Sequence, residues 1–92
     1  MAKASARHIL VADEATCEEL KKQIQDGADF GAVAAEHSSC PSGQQGGALG
    51  EFGPGQMVPE FDKAVFNGEV NTVIGPVKTQ FGYHLLEVTS RS

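Results

Sequence analysis

The sequence predicts an α+β fold in which helices pack against a mostly antiparallel sheet. Three observations predict it. Short runs rich in β-branched and aliphatic residues open and close the chain, at residues 7–11 and 83–89. Between them lie segments with helical spacing and capping residues. The last two strand-like runs are separated only by a turn, so they pair as a hairpin, whereas a parallel pair would need a long crossover.

The elements follow in order. Residues 7–11, Arg-His-Ile-Leu-Val, read as a first strand that starts as early as Lys3 and carries His8 into the sheet. Residues 14–26 read as a helix, with Asp13 as its cap and Gly27 where a C-terminal glycine belongs. Cys17, Leu20 and Ile24 share its buried face, which makes Cys17 a core residue. Asp29 caps a second helix over residues 30–37, with Phe30, Val33, Ala34 and His37 on one face. His37 reads as a packed or capping histidine. The Ser38-Ser39-Cys40-Pro41-Ser42-Gly43 segment ends that helix, and a short helical turn follows.

The stretch from Cys40 to Phe61 holds six of the eleven glycines and three of the four prolines. It also carries Leu49, Phe52, Met57 and Phe61, side chains a flexible linker would lack. Many glycines beside large apolar anchors suggest tight turns around a small apolar site. Composition alone favours a surface loop with its own mini-core. Within the stretch, residues 47–52 form a weak strand and Gly53-Pro54-Gly55 a turn. Pro59 then opens a third helix over residues 60–66, ended by Asn67-Gly68, with Phe61, Val65 and Phe66 facing inward. Residues 73–77 form a strand in which Pro76 argues for an edge or a bulge. Residues 79–82 turn the chain into the last strand, residues 83–89.

The totals bound the function. Ninety-two residues make one domain, expected to span residues 1–92 and to act as a monomer. The net charge is −5, with no basic cluster, which excludes nucleic acid and anionic membrane as partners. No apolar run is long enough for a membrane span, and the first residues are no signal peptide. The two cysteines are then expected to be reduced, in a cytoplasmic setting. No C-x-x-C is present. A metal site from His8, His84 and Cys40 has acceptable ligand types, but no ligand spacing supports it.

Four segments together carry a family resemblance. They are H-I-L-V near the start, D-F-G-A-V-A-A-E-H-S, G-G-A-L-G-E-F-G-P-G-Q-M-V-P-E-F and G-P-V-K-T-Q-F-G-Y-H-L-L-E-V. The chain resembles the parvulin family of peptidyl-prolyl cis/trans isomerases, and most of all the small stand-alone bacterial parvulins. The resemblance covers essentially the whole chain. It implies a parvulin-like, FKBP-like superfold: a four-stranded antiparallel sheet flanked by helices. It implies rotation about X-Pro bonds without a cofactor, and as partners proline-containing peptides and unfolded or flexible protein segments. On the matching positions it implies His8, Cys40, Thr79 and His84 as catalytic residues. Leu49, Met57, Phe61 and Phe81 would bind substrate. One departure is Ala48, where the family usually has aspartate; an effect on loop rigidity near the site is expected. The loop after the first strand, Val11-Ala12-Asp13-Glu14, has no basic residue, so no preference for a phosphorylated residue before proline is expected. A second reading, a binding or chaperone module without turnover, would use the same groove.

Overall fold

A computed structural model describes residues 3–91 of the chain; the outermost positions of the expected 1–92 domain, Met1, Ala2 and Ser92, lie outside the described residues. The elements run β1 (Ala4–Val11), α1 (Glu14–Gln25), α2 (Phe30–His37), a 3-10 turn (Pro41–Gln45), β2 (Ala48–Phe52), α3 (Pro59–Asn67), β3 (Val73–Thr79) and β4 (Gly82–Arg91). All three strand pairs are antiparallel, in the spatial order β2-β1-β4-β3. The first and last strands are therefore the two central ones.

Period-two alternation along β1 sorts its side chains onto two faces. Ile9 and Val11 join Cys17 and Leu20 of α1, Phe30, Val33 and Ala34 of α2, and Leu85 of β4 in one core. Ala4 and Ala6 join Phe52 of β2, Phe61 and Val65 of α3, and Leu86 and Val88 of β4 in the other. The sheet is thus sandwiched, with α1 and α2 on one face and α3 on the opposite face. Cys17 is fully buried, and that burial pushes its thiol up to about 11. It is a core residue, as its helical position implies.

The caps work as read. The Asp13 carboxylate accepts the Thr16 N–H at 2.8 Å, and Asp29 accepts the Ala32 N–H at 2.9 Å. Pro76 lies in edge strand β3, where the pairing register shifts between Ile74 and Val77. Two expectations need correction. His37 follows Phe30, Val33 and Ala34 on the same helical face but is exposed, not packed, at the last position of α2. Thr79 belongs to β3, not to the turn: it pairs with Gly82 across the hairpin, and only Gln80 and Phe81 make the reversal.

The segment between α2 and β2 is fastened to β1 at both ends. The Ser38 hydroxyl accepts the Leu10 N–H at 3.0 Å, and the Ser39 N–H donates to the Leu10 carbonyl at 2.8 Å. At the far end the His8 N–H donates to the Gly47 carbonyl at 2.9 Å. Gly47 has φ +83°, and a Cβ there would lie 2.3 Å from the His8 carbonyl oxygen. Only glycine fits such an approach. Gly47→Ala should cost about 2 kcal/mol and lower Tm by roughly 10 °C. A thermal melt matching the parent within a degree or two would show that this approach does not constrain the fold.

Candidate active site

Two buried histidines meet across the central strands. His8 lies on β1 and His84 on β4, on the sheet face that α3 covers. Their Nδ1 atoms are 3.0 Å apart and their rings are 16° from parallel. A hydrogen bond between two Nδ1 atoms needs one proton, not two. Thr79 Oγ1 accepts the Phe81 N–H at 3.2 Å and lies 2.8 Å from His84 Nε2, so hydroxyl and ring share a further hydrogen bond whose direction follows the tautomer of His84. His8 Nε2 is a buried atom with no hydrogen-bond partner among the described residues.

The pair is held neutral. Burial first, and the charge of His84 second, push His8 down from 6.5 to about 4. Burial also lowers His84. Phe61 of α3 packs edge-on against both rings, with centroids 5.6 Å from each. At 3% exposure it seals the pair from solvent on that side.

A cleft of about 360 Å³ opens beside the pair. His8, His84 and Cys40 line it together with the apolar Leu49, Met57, Phe61 and Phe81. Of the eight residues expected to form the site, seven therefore line one cleft. Thr79 lies behind the lining and bonds His84 instead. Cys40 is half-buried, and its backbone N–H donates to the Ser38 hydroxyl at 3.3 Å. Leu10, Ser39, Pro41 and Val58 also line the cleft and were not anticipated. Leu10 was open to discovery, since it stands two positions after His8 on the same strand face. Ser39 and Pro41 carry no such signal.

Ala48 is exposed and pairs with Arg7 on β1. The Arg7 guanidinium bonds Glu87 at 2.6 Å and covers the Phe30 ring at 4.8 Å, on the sheet face away from the histidines. Among the described residues, no group of three or more His, Cys, Asp or Glu is arranged to hold a metal ion.

This architecture, with an apolar cleft over the two central strands, is that of a parvulin-type prolyl isomerase domain. Solved structures show the same chain path. NmPin, the parvuline of Nitrosopumilus maritimus, is 33% identical with a TM-score of 0.87, and the match covers 98% of both chains. The crystal structure of the peptidylprolyl isomerase PrsA from Bacillus anthracis matches at TM-score 0.96 and 36% identity, over 99% of this chain and 42% of that one. The PPIC-type PPIASE domain model of the rotamase family matches residues 4–90, and the chain belongs to this family of peptidyl-prolyl cis-trans isomerases. The foldase protein PrsA of Geobacillus kaustophilus is 48% identical over 90 residues, which are 97% of this chain and 32% of that protein. The chain thus spans about a third of the length of such curated relatives.

The lowered His8 makes stability pH-dependent. An unfolded histidine binds its proton near 6.5, whereas folded His8 stays neutral down to about 4. Above that window both states are neutral, and the folded state keeps its full stability. As pH falls through it, the unfolded state alone gains a proton. Stability should then fall by about 1.4 kcal/mol per unit from His8. Urea denaturation at pH 7 and pH 4.5 checks this, and an unchanged unfolding free energy would contradict a neutral buried pair.

Proposed function

We propose that the chain accelerates rotation about X-Pro bonds in unfolded or flexible protein segments, without forming a covalent intermediate. The observation that carries this reading is the Phe61 ring, set edge-on against two neutral histidines inside an apolar cleft. Rotation about a prolyl bond has a barrier near 20 kcal/mol and makes or breaks no bond. Catalysis must come from binding the twisted amide more tightly than the planar one. Twisting uncouples the nitrogen from the carbonyl and reduces charge separation. A dry, uncharged cleft favours that state.

The proposed roles follow from position. Leu49, Met57 and Phe61 grip the proline ring. His8 and His84, joined to Thr79 in one hydrogen-bonded chain, shape the cleft beside the ring. Cys40 supports them by hydrogen bonding or polarity, since nucleophilic attack would add a bond the reaction does not need. Among the described residues no Lys, Arg, Asp or Glu lines the cleft. This supports indifference to phosphorylation before proline. The Asp13 carboxylate is engaged as the cap of α1, and an acidic residue before proline finds no cation in the lining.

That residues 1–92 make one domain and act as a monomer is part of the proposal; the family match over residues 4–90 supports the single domain. A cytoplasmic setting is part of the proposal, resting on a sequence with only two cysteines. Among the described residues no helix is long and apolar enough to cross a membrane.

NMR exchange measurements on an X-Pro peptide test the activity. Met57→Ala and Phe61→Leu should each lower turnover about tenfold or more, the equivalent of roughly 1.4 kcal/mol of lost transition-state binding. Phe61→Leu is the usable change because Phe61 is also core, and truncation to alanine there costs about 3–5 kcal/mol of stability. Cys40→Asp should keep most of the rate, and Ser-Pro and phosphoserine-Pro peptides should turn over alike. Complete loss of activity in Cys40→Asp would restore the thiol as a nucleophile. No acceleration by the parent protein at micromolar concentration would leave only the binding-module reading.

A further inference from the structure

Strand β2 breaks its alternation at Leu49, one of the residues that line the cleft. On β1, Ala4 and Ala6 belong to the cleft-side core, whereas Arg7 covers Phe30 on the opposite face. Residues directly opposite on paired strands share a face. Phe52, opposite Ala4, is on the cleft side and is buried in that core. Gly50, opposite Ala6, stands on the same side, and Ala48, opposite Arg7, on the other. One step along β1, from Ala6 to Arg7, thus matches two along β2, and Leu49 is the extra residue of a bulge. Counted back from Phe52 with a period of two, Leu49 would fall beside Glu51 on the Arg7 face. It packs instead against the Phe61 core and enters the cleft.

We propose that Gly50 is a positioning residue for the site: its left-handed backbone fixes the bulge that turns Leu49 into the cleft. This rests on the isomerase reading of the cleft and names a residue on which its grip depends. Gly50 has φ +75°, a conformation that L-residues other than Asn and Asp avoid. A Cβ there would meet nothing within 4 Å, so the backbone angle, not lack of room, calls for glycine. Gly47 is the opposite case, where His8 leaves no room. Both ends of the segment are held, Phe52 opposite Ala4 and the Gly47 carbonyl by the His8 N–H. Between these anchors the β2 side has one residue more than β1, and the surplus must be absorbed somewhere. Gly50 decides where. An alanine at 50 favours regular strand up to Leu49, with the surplus absorbed earlier, and Leu49 then turns to the face of Glu51. The histidine pair, on β1 and β4, keeps its place.

The test is kcat/KM on an Ala-Ala-Pro-Ala peptide for the full chain carrying Gly50→Ala, Gly50→Asn, Leu49→Ala, or Leu49→Ala with Gly50→Ala. A left-handed backbone is disfavoured about five- to thirtyfold in alanine, so Gly50→Ala should lower kcat/KM by about fivefold or more. Gly50→Asn, which tolerates that backbone, should stay within about twofold of the parent. In the Leu49→Ala background Gly50→Ala should add no further loss, because it acts through Leu49. The Leu49 methyl resonances should respond to the peptide in the parent and in Gly50→Asn, and not in Gly50→Ala. Gly50 is exposed, so neither change there should prevent folding, and circular dichroism checks this. A folded Gly50→Ala with parental kcat/KM overturns the positioning role and leaves the isomerase. So does a Gly50→Asn as impaired as Gly50→Ala, or an equal loss from Gly50→Ala with and without the Leu49 side chain. Absence of turnover by the parent overturns the isomerase reading itself, and with it the role assigned to Gly50.

Discussion

The hydrogen bond between His8 Nδ1 and His84 Nδ1 is the contact on which the site depends. It joins residues 76 positions apart, and it exists only because the first and last strands are neighbours at the centre of the sheet. One shared proton satisfies it. A second would set two N–H donors against each other, so the pair is compatible with burial only while neutral. Burial in turn is supplied by Phe61, whose ring closes over both imidazoles. Strand order, tautomer, charge state and the placement of α3 are thus linked through one 3.0 Å contact.

The two faces of the sheet divide the labour. On one face α1 and α2 close a core of Ile9, Cys17, Leu20, Phe30 and Leu85 with no polar member. That face is a platform. On the other face the core built around Phe61, Val65 and Leu86 stops short of a full layer, and the uncovered part is the cleft. The segment from Ser38 to Gly47 becomes one wall because hydrogen bonds to Leu10 and His8 pin it to β1. The glycines there permit the approach, and the apolar side chains further along supply the contact surface.

This arrangement suits a reaction whose transition state is less polar than its ground state. The polar atoms of the histidine–threonine chain are spent on each other, apart from His8 Nε2. What the cleft offers a substrate is largely shape and low polarity. A solved structure that shares only 33% of the sequence keeps the same chain path, as expected when strand order and core pattern carry the fold.

Much of the fold was legible in the sequence because its signals are local. Asp13 and Asp29 mark helix starts through hydrogen bonds to residues only three positions away. Alternation along β1 and the position of Pro76 are likewise properties of a few neighbouring residues. The candidate site residues were legible in another way, through family motifs, and periodicity alone left Cys40 to Phe61 undecided between a loop and a site. What tertiary structure alone decided is non-local. It made β1 and β4 central and moved Thr79 into β3, where its hydroxyl reaches His84. It left His37 in solvent, and it brought Leu10 and Phe81 into one cleft. Each of these depends on which surfaces the rest of the chain covers, and that is set by burial summed over the whole molecule, not by any short stretch of it.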